Sequence, residues 1–423
     1  MLPIVPDAGC ITQTMPPMNN TFQERFAQRI YTPQKNAEVR RNLEAAFGTA
    51  IDFRIMEAPL FCTPELRDNV ARAARELVMQ CVEPEFVNRM DAFVPASAKV
   101  PGRAPRPLFS VVDFALSSVN GSIVPRLIEM QGFPSLFGYQ LMLAEELLSV
   151  YHMNAASSAG RSLAWSPLFS DLSLDEYREL LRSVICGNHH PDNVALTEIY
   201  PHKQKTRVDF IATEQITGVA ATDICSLLRI EDTLFHERGG ALHPVRRIYN
   251  RAIVDEINDE NIRLPFSWND QLSVEWAGHP DWYFLMSKAA LPYLHHECVP
   301  QTDIIASLKQ LPADLSQYVL KPLFAFAGKG VIVSPTQADI EAIPAHEQSS
   351  WVLMEKVDYA RCMYTPLGMN AVELRCMLIW PESSPQPIPT MSLVRCGRGT
   401  MMGARYNTDE WTGATVALFG DSH

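Results

Sequence analysis

The sequence predicts a mixed protein, part α/β and part α+β, built from more than one unit. Three observations carry this. A chain of 423 residues exceeds what a single hydrophobic core organises. The middle of the chain has a β-α-β rhythm: an apolar run at 194–199, a helical pattern at 206–215 and an apolar return at 220–230. From about Pro280 the texture changes to short strands and glycine turns, with apolar runs at 318–323, 331–334, 351–357 and 372–380. Three sections follow from these textures: 1–150, 151–275 and 276–423.

Residues 1–60 show no strong period. A helix is then expected, with Thr63 as cap, Pro64 in its first turn, and Leu66, Val70, Ala74, Leu77 and Cys81 at helical spacing. The Pro- and Ala-rich stretch 94–107 reads as a loop. Two apolar runs, 108–116 and 123–130, flank Asn120-Gly121, a hairpin signal. Helices follow at 135–151 and after Ser173-Leu174-Asp175-Glu176, a capping box. Gly239-Gly240 marks a further hairpin.

Composition is ordinary for a globular chain, 47% hydrophobic and 20% charged. With a formal net charge of −12 and no basic run, the chain lacks the face that nucleic acid requires. A small cleft for a polyphosphate is compatible with that charge. Nine cysteines without C-x-x-C spacing suit reduced thiols in the cytoplasm. The opening Met-Leu-Pro-Ile-Val-Pro has no basic start and does not read as a secretory signal. No run of about 18 apolar residues suggests a membrane span. The histidine pairs 189–190 and 295–296 lack zinc spacing.

The sharpest local feature runs from Tyr318 to Val331. A strand ends in Lys321-Pro322, a small-residue loop reaches Gly328-Lys329-Gly330, and a second strand begins. Glycines let backbone N–H groups approach phosphate oxygens, and Lys321 adds a point charge. The lysine precedes the glycines and the loop joins strands, unlike a Walker loop, which opens a helix. Upstream lies Ser287-Lys288-Ala289-Ala290-Leu291-Pro292, and downstream Trp351-Val-Leu-Met-Glu355-Lys356-Val357, a strand whose edge suits an adenine.

These segments resemble the ATP-grasp proteins, and in particular the circularly permuted group that includes the synthetase domain of glutathionylspermidine synthase. Met286-Ser-Lys288-Ala289-Ala-Leu291-Pro292-Tyr-Leu294 is similar to that family's S-N-K-A-I-L-P-L-L. Lys321-Pro322-Leu323 through Gly328-Lys-Gly-Val331 is similar to its K-P-L-L-G-R-E-G-A-N-V. The resemblance covers about 105–150 and 275–360 and implies a permuted ATP-grasp core with a Rossmann-like section before it.

It also implies roles. Lys288, Lys321, Ala327, Gly328, Lys329, Gly330, Glu355, Lys356 and Val357 would hold ATP. The family's early Asp and Glu-x-Asn match Asp113, Glu129 and Gln131, which would hold Mg²⁺ through hard oxygen donors. Gln131 stands for the family's asparagine, and Val111 for its arginine two residues before the aspartate. Arg375 and Arg395 are the leading substitutes for that arginine, placed to neutralise charge as an acyl phosphate forms.

Glu129 and Gln131 share a strand face. Asp113 joins them only in one hairpin register: a three-residue loop around Gly121 sets it opposite Glu129, whereas a two-residue Asn-Gly loop sets it opposite Ile128. Pro125 makes a bulge plausible. The expected activity is an ADP-forming ligase that joins a small-molecule carboxylate to an amine. The alternatives are a kinase and a nucleotide-binding partner or sensor without turnover.

Overall fold

The computed structural model describes residues 18, 20–153, 165–259, 261–324, 328–403 and 406–420. Its architecture is a mixed α/β arrangement of several sheets. The central antiparallel sheet takes strands from both ends of the chain. Its path is Gly413–Thr415, Ile388–Gly397, Gly368–Ile379, Phe109–Val119 and Ser122–Gln131, with Arg361–Thr365 also on Gly368–Ile379. Most positions of Phe109–Val119, Gly368–Ile379 and Ile388–Gly397 are buried, which accounts for their near-continuous apolar sequence.

A second antiparallel sheet has the order Thr302–Ile304, Trp351–Glu355, Tyr318–Pro322, Ile332–Val333. It separates two cores. Leu320 and Leu353 face a small cluster with Ile305, Ile340 and Ile343, whereas Val352 and Met354 belong to the main core. Strand alternation therefore turns Lys321 away from the small cluster and toward the central sheet.

The middle section forms a parallel sheet in the order Glu275–Trp276, Arg247–Asn250, Val194–Glu198, Ala221–Asp223, the layer that the β-α-β rhythm predicts. The Gly239-Gly240 hairpin joins Thr233–Arg238 to Ala241–Val245. Helix Pro64–Gln80 has Thr63 as its cap, and helix Leu174–Cys186 has both halves of the Ser173/Glu176 capping box. The first sixty residues hold more structure than their sequence period suggests. Helix Pro33–Phe47 is capped by Thr32 and stopped by Gly48 in the left-handed region, signals that a weak apolar period masks. No helix among the described residues is long and apolar enough to cross a membrane.

Helix Phe137–Val150 is buried over most of its surface, so its orphan N–H groups cannot turn to water. Asp209, on helix Arg207–Thr217, supplies the acceptors. Its carboxylate takes the N–H groups of Leu136, Gly138 and Tyr139, each at 3.0 Å, and pairs with buried Arg251. Asp209→Ala should lower stability by about 3–5 kcal/mol, because it strands a buried guanidinium and uncaps the helix. A urea titration reads this as a lower midpoint at unchanged slope. An unchanged midpoint would contradict the role.

Candidate functional site

The site starts from a register shift. Asn120 and Gly121, at φ 50° and 80°, form the two-residue turn that the Asn-Gly pair predicts, with Val119 opposite Ser122. That register persists to Phe114 opposite Leu127. One residue, Ile128, is then bulged, and Asp113 falls opposite Glu129. The hairpin thus combines the short loop with the pairing expected of the longer one.

A bulged residue leaves the ladder, and the freed carbonyl finds another donor. Lys321 Nζ donates to the Ile128 carbonyl at 3.0 Å and lies 3.1 Å from Met354 Sδ. Lys288 Nζ sits 3.2 Å from Glu129 Oε2. Close packing at Gly132 makes that approach possible. Its N–H donates to the Met286 carbonyl at 3.1 Å, and a Cβ there would meet the Trp282 carbonyl oxygen at 2.5 Å. The acid-bearing strand therefore lies against helix Trp282–Leu285, which leads directly into Lys288.

The central sheet adds the remaining charges. Arg375 is directly opposite Asp113, and Glu373, two residues earlier on the same face, is opposite Arg395. Arg375 holds Asp113 through Nε to Oδ1 at 2.5 Å and Nη2 to Oδ2 at 2.6 Å. Arg395 Nη1 reaches Asp113 Oδ2 at 3.4 Å and pairs with Glu373 Oε1. The Tyr359 hydroxyl donates to Glu373 Oε2 at 3.0 Å, and Gln131 Nε2 to Glu129 Oε1 at 3.0 Å. Glu373 and Tyr359 escaped the sequence reading. The E-x-R spacing of Glu373 and Arg375 inside an apolar strand was the available signal for the glutamate; nothing local marks the tyrosine.

Burial and pairing compete at each group. Burial alone would raise the Asp113 carboxyl, but the Arg375 and Arg395 guanidinium groups together outweigh it and hold it below the usual carboxylate range. Glu129 is likewise held low, burial being overcome chiefly by Lys288. Glu373 goes up, because burial exceeds the help of Arg395. Burial pushes Lys321 down to about 8, with Glu129 opposing and Lys288 reinforcing the shift.

Other nominated residues lie outside this cluster. Gly328 and Gly330 shape the turn after Lys321, both with positive φ, while Ala327 lies outside the described residues. Lys329 follows Gly328 in that turn. The Lys356 side chain points to the Ser316 carbonyl at 2.8 Å rather than to the acids. The backbone N–H groups of Glu355 and Lys356 donate to the Gln301 and Gln317 carbonyls, and Val357 follows in irregular chain.

The two nominated carboxylates, Asp113 and Glu129, do not offer a free oxygen to a divalent cation as they stand. Both oxygens of Asp113 face guanidinium, and both oxygens of Glu129 have donors. Among the described residues no group of three or more His, Cys, Asp or Glu is disposed to hold a metal ion. Cavities of about 520 and 660 Å³ lie elsewhere, the first beside Trp276 and His279, the second beside His295 and Asp303. Neither is lined by any of these acids or lysines.

No family model matches the chain, and no curated protein matches it. Among solved structures, a glutathione synthetase-like effector (GSS30) from Globodera pallida, in apo form, aligns with a TM-score of 0.49 at 9% identity. That alignment covers 92% of this chain and 96% of the other. A likeness at that level carries no argument about this chain's chemistry.

Lys321 is charged in a place that disfavours charge, so the folded chain binds its proton less tightly than the unfolded chain does. Stability therefore carries a cost at neutral pH that is relieved as pH rises from about 8 toward the ordinary lysine value. Lys321→Met should raise stability at pH 7 by about 1–3 kcal/mol, and the gain should fade by about pH 10.5. Thermal midpoints across that range test this; a variant less stable than the parent at pH 7 would contradict it.

Proposed function

We propose that the chain binds ATP in the ATP-grasp manner, with its core in circularly permuted order. We further propose that it acts as an ADP-forming ligase joining a carboxylate to an amine on a small molecule or peptide. The observation that carries this reading is the meeting of two remote segments. Lys288 and Lys321, from the last third, stand on Glu129 and on the Ile128 carbonyl of the early acid-bearing hairpin. Two buried lysines on one short stretch of backbone make a poor structural device and a good polyanion clamp.

In this reading Lys288 and Lys321 hold the outer phosphates, with the turn at Gly328–Gly330 closing beside them. The chain near Glu355–Val357 borders the adenine. A substrate carboxylate oxygen attacks the γ-phosphorus, and the bond from that phosphorus to the bridging oxygen breaks, releasing ADP. The amine nitrogen then attacks the acyl phosphate carbon, and inorganic phosphate leaves. Arg375 and Arg395 balance the negative charge that builds on the transferred group. Positioning and charge do the chemistry without a protein nucleophile.

A second reading, a nucleotide-binding protein without turnover, has one observation in its favour: the carboxylates of the cluster are already paired with cations. ADP release in the presence of a mixture of carboxylates and amines separates the two. Amine-dependent ADP release supports the ligase, ADP release without an amine supports a kinase, and ATP binding without ADP supports the binder. Lys321→Met should abolish the ATP-dependent thermal shift while keeping the fold. A shift equal to the parent's removes Lys321 from the phosphate site.

A further inference from the structure

Resting on the nucleotide reading above, we infer that this site holds the polyphosphate through side-chain cations directly, with no divalent ion bound by the protein's own carboxylates. The oxygens of the cluster decide it. Asp113 Oδ1 and Oδ2 take Arg375, and Oδ2 also takes Arg395. Glu129 Oε1 takes the Gln131 amide and Oε2 takes Lys288. Glu373 Oε1 takes Arg395 and Oε2 takes Tyr359. Every carboxylate oxygen in the cluster therefore already has a donor.

Magnesium needs near-octahedral oxygen coordination and gives up its water reluctantly. To enter, it would have to expel the guanidinium from Asp113. Arg375 is buried, so the expelled charge would have no solvent to receive it. The cations outnumber the acids: Lys288, Lys321, Arg375 and Arg395 face Asp113, Glu129 and Glu373. A cluster with positive excess attracts an anion and repels a divalent cation. A polyphosphate supplies acceptors, which are what these cations take. Lys321 now spends its protons on a neutral carbonyl and a thioether, both weaker partners than phosphate oxygen.

On this account Glu129 is a counter-charge that holds Lys288 in place and competes with the incoming phosphate. A metal ligand and a counter-charge respond oppositely to neutralisation, so Glu129→Gln discriminates between them. The experiment is a calorimetric titration of ATP and of inorganic tripolyphosphate into the parent chain and Glu129→Gln, once in EDTA and once with MgCl₂. The expected result is a parent Kd for ATP in EDTA within about threefold of that in magnesium. Glu129→Gln should bind both ligands more tightly in EDTA, on the order of fivefold.

Parent binding that weakens by about tenfold or more in EDTA overturns the inference and leaves the nucleotide reading standing. Weaker ATP binding by Glu129→Gln in magnesium does the same, since a lost ligand weakens the complex. The absence of binding by the parent, for either ligand and in either condition, overturns the nucleotide reading and this inference together.

Discussion

One extra residue in one strand sets up the whole site. With a regular ladder beyond the Asn120-Gly121 turn, Glu129 would sit opposite Val112, and Asp113 would sit opposite Ile128. The bulge at Ile128 returns Asp113 and Glu129 to a shared row. It also removes the Ile128 carbonyl from its strand partner, and Lys321 caps that carbonyl from the second sheet. A local irregularity in the first third of the chain thereby becomes the docking point for a lysine almost two hundred residues later. The close approach at Gly132 delivers Lys288 to the same place by a separate route.

The second constraint is electrostatic. Asp113 and Arg375 are almost fully buried, and neither could be tolerated there without the other. Their pairing is enforced by strand register, because Arg375 lies directly across from Asp113. Arg395 approaches from the next strand, so two guanidinium groups meet one carboxylate. Lys321 shows the complementary cost, a buried ammonium kept at the expense of stability.

Much of this was legible from the residues. Thr63-Pro64 and the Ser173/Glu176 box announced their helices, Asn120-Gly121 its turn, and Lys321-Pro322 with the following glycines a strand-loop-strand unit. These are local signals, carried by residues within one turn of each other. What stayed hidden is long-range. Which residue of the second hairpin strand is bulged depends on what the freed carbonyl meets, and Lys321 is remote in sequence. Asp209 looks like any acid in the first turn of its helix, and its work as the cap of helix Phe137–Val150 depends on a contact 73 positions back. Tyr359 sits in irregular chain and joins the cluster through its hydrogen bond to Glu373. Of the residues nominated for the nucleotide, Lys288 and Lys321 gather at the acids, whereas Lys356, just past the end of its strand, turns to the Ser316 carbonyl.

Acids from the early hairpin and two lysines from the last third of the chain, Lys288 and Lys321, are proposed to border one anion pocket. A crystal structure with a non-hydrolysable ATP analogue tests it most directly. The account predicts phosphate oxygens within about 3.3 Å of the ammonium groups of both Lys288 and Lys321, with Lys321 withdrawn from the Ile128 carbonyl. Density for the analogue elsewhere, such as the cavity beside Trp276, with Lys321 still on that carbonyl, would contradict it.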